Sequence, residues 1–471
     1  MGEEVRQERF GEADFARFAA RLGEETEALG RWFEASDPEE SGECAGFELE
    51  LCLVDGRQQP APENQAILAA VADPHLVPEL SRFNLELNSD PHPVEPGLLS
   101  ALRAELEALG ARVDREAEGR GLRFLMIGTL PTLPEEALTL ENMSPLHRYH
   151  LLNDEVLRQR RGRPLHLDIR GRERLVTDHQ DVMLEAAATS LQVHLQVPLS
   201  RSRRFFNAAL VASAPMVGLA ANSPYLFGKD LWAETRIPLF EQAVGCNPPL
   251  GRVTFGGGYA RDSLYELFLE NLREYPVMLP ARLDGSPDTF PHLRLHNGTI
   301  WRWNRPIVAP DASGAIRLRI EHRVMAAGPS VPDVVANIAA YLGLVHVLAE
   351  AEEPPESRLS FEAARANFYA AAEGGLDAEV LRLDGRRGSL REWWLGELLP
   401  VARQGLRGLG LDPEDTAFYL EEVLFPRLRS GQNGAAWQRA FVARHGADFS
   451  QLVGAYGQGQ RSGRPVHAWG L

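Results

Sequence analysis

The segment GFELELCLVD, residues 46–55, carries two glutamates on alternate positions of an otherwise largely apolar sequence. A period of two is typical of a strand with one buried face, so Glu48 and Glu50 share the opposite face. Two carboxylates at about 5 Å repel by roughly 3 kcal/mol at an effective dielectric of about 20. The pair therefore needs a cation, either an arginine or a metal ion. Magnesium takes oxygen ligands, and paired ions serve phosphoryl transfer, so phosphoryl chemistry is the first hypothesis.

Other segments repeat this alternation of apolar and chemically active side chains. FNLELNS places Glu86 on its polar face, TSLQVHLQV places His194 there, and RLRIEHRVM places Arg319, Glu321 and Arg323 there. If these strands share a sheet, one of its faces is a core and the other is lined with acids, histidine and arginine. The arginines could neutralise the acids or hold phosphate oxygens.

A solvated sheet face is the alternative interpretation for any single strand. Solvated faces favour threonine, serine and lysine, and the polar positions named above contain none of them. Four carboxylates on one face would also repel severely without cations. Taken together, the strands favour a functional face.

The elements that must position these residues follow from hydrophobic periodicity. Helices are predicted over residues 8–36 and over VEPGLLSALRAELEALGARVDREAE, RYHLLNDEVLRQR, RRFFNAALVASAPMVGLAAN and DVVANIAAYLGLVHVLAE. Strands are predicted over residues 46–54 and 82–88, LRFLMIGT, TSLQVHLQV, residues 292–308 with the segment HLRLHN, and residues 315–325. Beyond about residue 351 helical patterns dominate to about 455, before a Gly-rich polar tail. Strands separated by helices of uneven length indicate an α+β fold with an antiparallel or mixed sheet.

The composition and net charge of the chain argue against several classes of protein. The chain has 471 residues, 44% of them hydrophobic, and a net charge of −17, which argues against a general nucleic-acid binder. We expect no membrane span and no secretory signal. Three cysteines form no disulfide framework or zinc motif, so a cytoplasmic location fits best. Lys229 is the single lysine, which leaves phosphate and carboxylate recognition mostly to arginine.

Six segments, in this order, resemble the glutamate–cysteine ligase family, in the branch that includes bacterial carboxylate–amine ligases: GFELEL, LELNSDP, HRYHLLNDE, TSLQVHLQV, ANSPYLFGK and RIEHRVM. The resemblance covers roughly residues 40–350. It implies a glutamine-synthetase-like catalytic fold, with a curved, mostly antiparallel sheet flanked by helices. It also implies ATP and two or three Mg²⁺ ions, with Mn²⁺ as an alternative.

The reaction that the resemblance implies has two steps. The γ-carboxylate of glutamate attacks the γ-phosphate of ATP to give an acyl phosphate, and the amine of cysteine then displaces phosphate. The product would be γ-glutamylcysteine, formed in the first step of glutathione-type thiol synthesis.

The same resemblance implies roles for nine side chains. The metal ligands would be Glu48, Glu50, Glu86, His194 and Glu321. ATP phosphate or substrate would be bound by Arg319, Arg323, Arg148 and Tyr149. The catalytic residues would be Glu48, Glu50 and Arg323.

We expect three parts of the chain: an N-terminal helical extension over residues 1–40, an ATP-dependent ligase domain over 41–350 and a helical C-terminal region over 351–471. The expected partners are small-molecule substrates, with no nucleic acid and no membrane, and the oligomeric state is left open.

Other functions stay open at the level of sequence. The enzyme could join a different carboxylate or a different amine, because the segments that would select the amine match no motif. Paired carboxylates also serve glycoside hydrolysis, although that chemistry does not explain the arginines beside Glu321. A non-catalytic, nucleotide-binding relative is the third alternative, and the retained repelling acids argue against it.

Overall fold

The computed structural model describes residues 9–35, 42–246 and 251–471. Within them the strands are β1 Cys44–Val54, β2 Leu76–Pro78, β3 Asn84–Asn88, β4 His92–Pro93, β5 Arg123–Leu125, β6 Leu165–Arg170, β7 Arg174–His179, β8 Ser190–Gln196, β9 Tyr225–Leu226, β10 Lys229–Asp230, β11 Val253–Thr254, β12 Trp301–Arg302, β13 Asn304–Pro310, β14 Ile316–Ala326, β15 Glu379–Leu381 and β16 Arg387–Ser389.

The α-helices of the described residues are α1 Glu12–Ala35, α2 Asn64–Val71, α3 Leu98–Glu118, α4 His147–Gln159, α5 Ser202–Leu219, α6 Arg236–Ala243, α7 Tyr265–Glu274, α8 Pro291–Gly298, α9 Val331–Glu350, α10 Pro355–Arg358, α11 Phe361–Gly374, α12 Leu390–Trp393, α13 Leu399–Gly408, α14 Pro413–Ala417, α15 Phe425–Ser430, α16 Gly434–His445 and α17 Phe449–Arg461. Two π-helical segments, Trp394–Leu398 and Phe418–Leu424, join α12 to α13 and α14 to α15.

The central sheet has eight strands, and its main path runs in the order β13, β14, β8, β1, β3 and β2. Strands β4 and β5 pair with the two ends of β1, and every pairing in this sheet is antiparallel. Antiparallel pairing keeps the period-two alternation aligned from strand to strand, so one face of the whole sheet is apolar.

Helices α5 and α9 cover the apolar face. His322 of β14 lies on this face, where its ring stacks on Tyr341 of α9 at 4.2 Å between centroids. Asn304 of β13 donates a hydrogen bond from Nδ2 to Ser213 Oγ of α5 at 2.8 Å. Both helices are buried along most of their length, as expected for the central layer of a large core.

Helix α9 is, among the described residues, long and apolar enough by length and composition to cross a membrane. Of its apolar stretch, 78% is buried inside the protein. Burial of this extent is typical of a core helix.

The helices that follow residue 350 pack on α9 and on the sheet, and one hydrophobic cluster contains residues from both parts of the chain. Asn222, after α5, donates to Tyr456 Oη of α17 at 2.7 Å and accepts from Gln438 Nε2 of α16 at 2.9 Å. The division at residues 350 and 351 stays a prediction. The predicted N-terminal extension, 1–40, lies partly outside the described residues, and its described part contains α1.

One predicted strand is wrong. The segment HLRLHN forms α8, which begins with Pro291 at its first position and ends at Gly298. Leu293 and His296, three residues apart, are both buried, which is helical spacing. His292 pairs with Glu25 of α1, with 2.6 Å between Nδ1 and Oε1, so it does not reach the polar face of the sheet.

Candidate active site

Strand register brings the polar side chains of four strands together. On β1, Glu50 lies directly opposite Glu86 of β3. Glu48 lies opposite Gln192 of β8. On β14, Glu321 lies opposite His194 of β8. Residues opposite each other across a strand pair have Cβ atoms about 4.5–5.5 Å apart, so these side chains meet on the face away from α5 and α9.

The first cluster on this face, here called the histidine group, consists of Glu48, His194 and Glu321. One ligand atom from each lies within 4.8 Å of the other two. His194 Nε2 is 3.2 Å from Glu48 Oε1 and 4.0 Å from Glu321 Oε1. Two carboxylates and an imidazole at this spacing are a donor set that could hold a divalent cation.

Arginines offset much of the charge of the histidine group. Arg305 of β13 donates to both oxygens of Glu321, at 3.0 Å from Nε and 2.8 Å from Nη2. Arg319 donates from Nε to His194 Nδ1 at 3.1 Å. Burial raises the pKa of the Glu48 carboxyl, but the charge and hydrogen bond of His194 outweigh that effect and the pKa lies below its usual value.

The second cluster, here called the carboxylate group, consists of Glu50, Glu79 and Glu86, again with one oxygen from each within 4.8 Å of the others. Glu50 is held in place by β8: its Oε2 accepts from the Ser190 backbone N–H at 2.7 Å, and its Oε1 accepts from Gln192 Nε2 at 3.1 Å. Oxygens bound to one Mg²⁺ at about 2.1 Å lie roughly 3–4 Å apart. The spacing of the group is therefore compatible with a shared cation.

Arginine charge offsets the burial of the carboxylate group only in part, through Arg148 at Glu79 and Arg323 at Glu50. Burial raises the pKa of Glu86 to about 8, and the charges of Glu48 and Glu50 add to the effect. Burial and then Glu86 raise the pKa of Glu79 well above its usual value, which Arg148 partly offsets. Glu79 Oε1 and Glu86 Oε2 are buried and have no hydrogen-bond partner among the described residues. These oxygens fit a metal ion, because a divalent cation would hold both carboxyls ionised.

Arg323 connects the two groups. It lies within a bulge of β14, and its Nη2 donates to Gln192 Oε1 at 3.0 Å, while its Nε is 3.7 Å from Glu321 Oε2. Its buried Nη1 has no hydrogen-bond partner within the described ranges. The guanidinium is thus fixed at one edge and has a donor left for an anionic ligand.

Arg148 and Tyr149 lie in the first turn of α4, beside the carboxylate group. Arg148 Nη2 is 3.1 Å from Tyr149 Oη, which donates to the carbonyl oxygen of Pro78 at 3.2 Å. Pro78 immediately precedes Glu79, so the contacts of Arg148 and Tyr149 hold in place the loop that carries Glu79. Burial raises the pKa of Tyr149, with Glu79 adding to the rise, so its hydroxyl stays protonated.

The structure brings together all nine residues predicted from the sequence: five belong to the two groups, and the other four lie beside them. Their chemical roles stay predictions. Sequence reasoning missed Glu79 and Arg305. Glu79 interrupts the largely apolar LVPELSRF, which is a weak signal, and it lies in a loop where no periodicity applies. Arg305 lies at the start of β13. Only the strand register, which places it opposite Glu321, shows that it pairs with that carboxylate.

A family model for glutamate–cysteine ligase family 2 matches residues 44–455. The chain belongs to glutamate–cysteine ligase family 2. The match runs about a hundred residues beyond the region covered by the sequence motifs and includes most of the C-terminal helices. A sequence comparison with curated proteins gives no match.

Two solved structures share the fold of this chain at low sequence identity. The glutamate–cysteine ligase of Francisella tularensis, solved in complex with AMP, is 12% identical, with a TM-score of 0.55 and coverage of 91% of this chain and 90% of that one. A bifunctional glutathione synthetase from Pasteurella multocida is also 12% identical, with a TM-score of 0.50, and the match covers 92% of this chain and 54% of that one. The predicted glutamine-synthetase-like α+β fold, with its curved antiparallel sheet and helical C-terminal region, is confirmed. The family 2 protein is an enzyme of the ligase class.

Proposed function

We propose that this protein is an ATP- and Mg²⁺-dependent ligase that joins the γ-carboxylate of glutamate to an amine, most simply L-cysteine, through an acyl phosphate. The observation that carries the proposal is the pairing of the histidine group and the carboxylate group on one sheet face of a family 2 ligase. The adjacent arginines supply fixed positive charge for phosphate. Metal ions held by Glu48, Glu50, Glu79, Glu86, His194 and Glu321 would offset the charge of the phosphates.

The chain's own residues support the phosphoryl-transfer step of this reaction. A γ-carboxylate oxygen of glutamate bonds to the γ-phosphorus of ATP, the bond to the bridging oxygen breaks, and ADP leaves. Arg323, held by Gln192, and Arg319, held at His194, are placed to stabilise negative charge on the transferring phosphoryl oxygens. The amine nitrogen then bonds to the acyl carbon, phosphate leaves with the electron pair of the C–O bond, and the amine protons pass to solvent.

The test is ADP release from ATP and Mg²⁺ with glutamate, alone and with each of L-cysteine, L-serine, glycine, methylamine and hydroxylamine. We expect ADP release that requires glutamate and rises with at least one amine, L-cysteine most of all, and a hydroxamate with hydroxylamine that traps the acyl phosphate. Folded protein that releases no ADP with any pair would overturn the proposal. Turnover only with another amine would keep the ligase and exclude cysteine.

Magnesium binding is expected to release protons at neutral pH. The raised pKa values keep Glu86, at about 8, and Glu79 protonated at pH 7 in the metal-free protein, whereas a metal ligand must be ionised. Titration calorimetry with MgCl₂ in two buffers of different ionisation enthalpy should give about one proton or more per site at pH 7, falling as the pH rises through about 8. The apparent Mg²⁺ affinity should rise over the same range.

The matched variant for this measurement is Glu86→Gln, which removes one of the two protonated carboxyls and should lower the proton count. The same count in Glu86→Gln and wild type, or no release at pH 7, would exclude the carboxylate group as the metal site.

A further inference from the structure

Helix α8 carries an arginine, Arg294, beside the polar face of the sheet. Asn297 fixes the helix against β13: its Nδ2 donates to the carbonyl oxygen of Pro306 at 3.0 Å, and its own carbonyl oxygen accepts from Arg305 Nη1 at 3.2 Å. Residues three apart are neighbours on a helix surface, so Arg294 lies next to Asn297 and one turn nearer the start of α8. Its side chain is half-buried. Arg294 therefore lies beside β13 and stays partly open to solvent.

Strand register places Arg294 near Arg319. Ile307, which follows Pro306 in β13, lies opposite Arg319 of β14. The hydrogen bond from α8 to Pro306 therefore brings the helix alongside the strand position that faces Arg319. In agreement, burial lowers the pKa of Arg319, and the positive charges of Arg305 and Arg294 lower it further, which the carboxylates of the histidine group oppose.

Three arginines meet at this end of the face: Arg294, Arg305 and Arg319, here called the arginine edge. Arg305 is committed to Glu321, and Arg319 donates to His194. Arg294 pairs with no carboxylate among the described residues. Like charges gathered in one place repel each other, and a bound anion relieves that repulsion.

The two ends of the polar face differ in charge. The carboxylate group lies around β1 and β3, whereas the arginine edge lies at β13, β14 and α8. The strand order places β13 four strand spacings from β3, roughly 19 Å along the sheet. A polyphosphate is repelled at the acidic end and attracted at the arginine edge, so the two ends suit different ligands.

We propose that Arg294 binds the two phosphates of ATP that are not transferred, with the triphosphate running from Arg323 across the histidine group to the arginine edge. The inference rests on the ATP dependence of the proposed function, and it adds a binding residue and a direction for the nucleotide. A guanidinium can bind phosphate oxygens in bidentate fashion. Because ADP keeps both of these phosphates, the contact should appear in ADP binding as well as in turnover.

The test is titration calorimetry of MgADP with wild type and Arg294→Gln, in the absence of glutamate and amine. We expect the variant to bind MgADP about 10- to 100-fold more weakly, as for lost charge-assisted hydrogen bonds to phosphate. Magnesium tripolyphosphate, which has no base or sugar, should lose affinity by a similar factor. In turnover, the KM for ATP should rise by a similar factor, while the KM for glutamate should change less than about threefold.

Two further variants complete the test. Arg317→Gln removes an arginine of β14 whose Nε already donates to Asp311 Oδ2 at 2.8 Å, and this variant should bind MgADP as wild type does. Arg294→Lys keeps the charge and loses the planar fork, so it should recover part of the affinity. It also serves as the folded comparison if the glutamine variant melts early.

The outcomes separate this inference from the proposed function. Wild type that binds no MgADP would overturn both. Wild type that binds MgADP but releases no ADP from ATP with glutamate and any amine would overturn the ligase reaction, while the MgADP affinities would still decide the role of Arg294.

Three results would overturn only the role of Arg294. The first is equal MgADP affinity in Arg294→Gln and wild type. The second is an equal loss of affinity in Arg317→Gln, which would indicate a general effect of net charge. The third is a rise in the KM for glutamate in place of the KM for ATP, which would assign Arg294 to a substrate carboxylate.

Discussion

Glu50→Gln is expected to lower turnover by about 10²- to 10³-fold or more while the melting temperature stays similar or rises, because one fixed charge is lost from the reacting centre. Glu50 lies between Glu86 and the β8 donors: burial raises the pKa of its carboxyl, and its charge in turn raises the pKa of Glu86. Removing that charge relieves repulsion in the folded protein. Ser190 Oγ, 3.0 Å from Glu50 Oε1, can turn to accept from the new amide.

The measurements for Glu50→Gln are ADP release with glutamate and the best amine, and thermal unfolding followed by circular dichroism. Glu107→Gln is the matched control, since Glu107 is an exposed carboxylate of α3 that pairs only with Arg103 in the described structure. Activity close to wild type in Glu50→Gln would exclude Glu50 from the active centre. Lost activity together with a large fall in melting temperature would mean that Glu50 acts through folding instead.

Arg427→Met is expected to destabilise the protein by about 3–5 kcal/mol, because it leaves a buried carboxylate without its cation. Arg427 of α15 is 1% exposed and donates to Asp333 Oδ1 of α9 at 2.6 Å and to Asn337 Oδ1 at 2.6 Å. Asp333 also accepts from the backbone N–H of Val466 at 2.9 Å. The loss should appear as a lower midpoint of urea unfolding, with the C-terminal helices loosened from α9.

Two variants show whether the buried charge is the cause. Arg429→Met alters an exposed arginine of the same helix and should change stability by about 0.5 kcal/mol or less. Adding Asp333→Asn to Arg427→Met removes the stranded charge, so the double variant should be less destabilised than the sum of the two single variants. An Arg427→Met midpoint equal to that of Arg429→Met would contradict the prediction.

The strands of the central sheet were predictable because their pattern is local. GFELELCLVD, FNLELNS, TSLQVHLQV and RLRIEHRVM each alternate over enough residues to specify a strand and its two faces, and they form β1, β3, β8 and β14. HLRLHN was mispredicted because two leucines in six residues fit a helix as well as a strand. Its flanking Pro291 and Gly298 carry the helical signal, since proline suits the first helical position.

The residues of the site were only partly predictable, because a local pattern identifies strand residues but not residues in loops. Glu79 lies in a loop, where a single carboxylate has no periodic partner to identify its face. Arg305 likewise becomes meaningful only through Glu321, which lies opposite it across the strand pair. From the sequence alone, either arginines or metal ions could neutralise the acids. The structure shows arginine paired with Glu321, whereas buried oxygens of Glu79 and Glu86 have no hydrogen-bond partner among the described residues.

By itself, the sequence determined which side chains share a face within each strand, because side-chain alternation follows from the geometry of a single extended chain. The motifs it contains also indicated the ligase family. Only the tertiary structure decided that the acids form two groups, that arginine pairs with Glu321 in the first, and that buried oxygens of Glu79 and Glu86 in the second have no hydrogen-bond partner among the described residues. Those facts depend on strand register and loop position, which are set by pairing and packing between segments far apart in the chain.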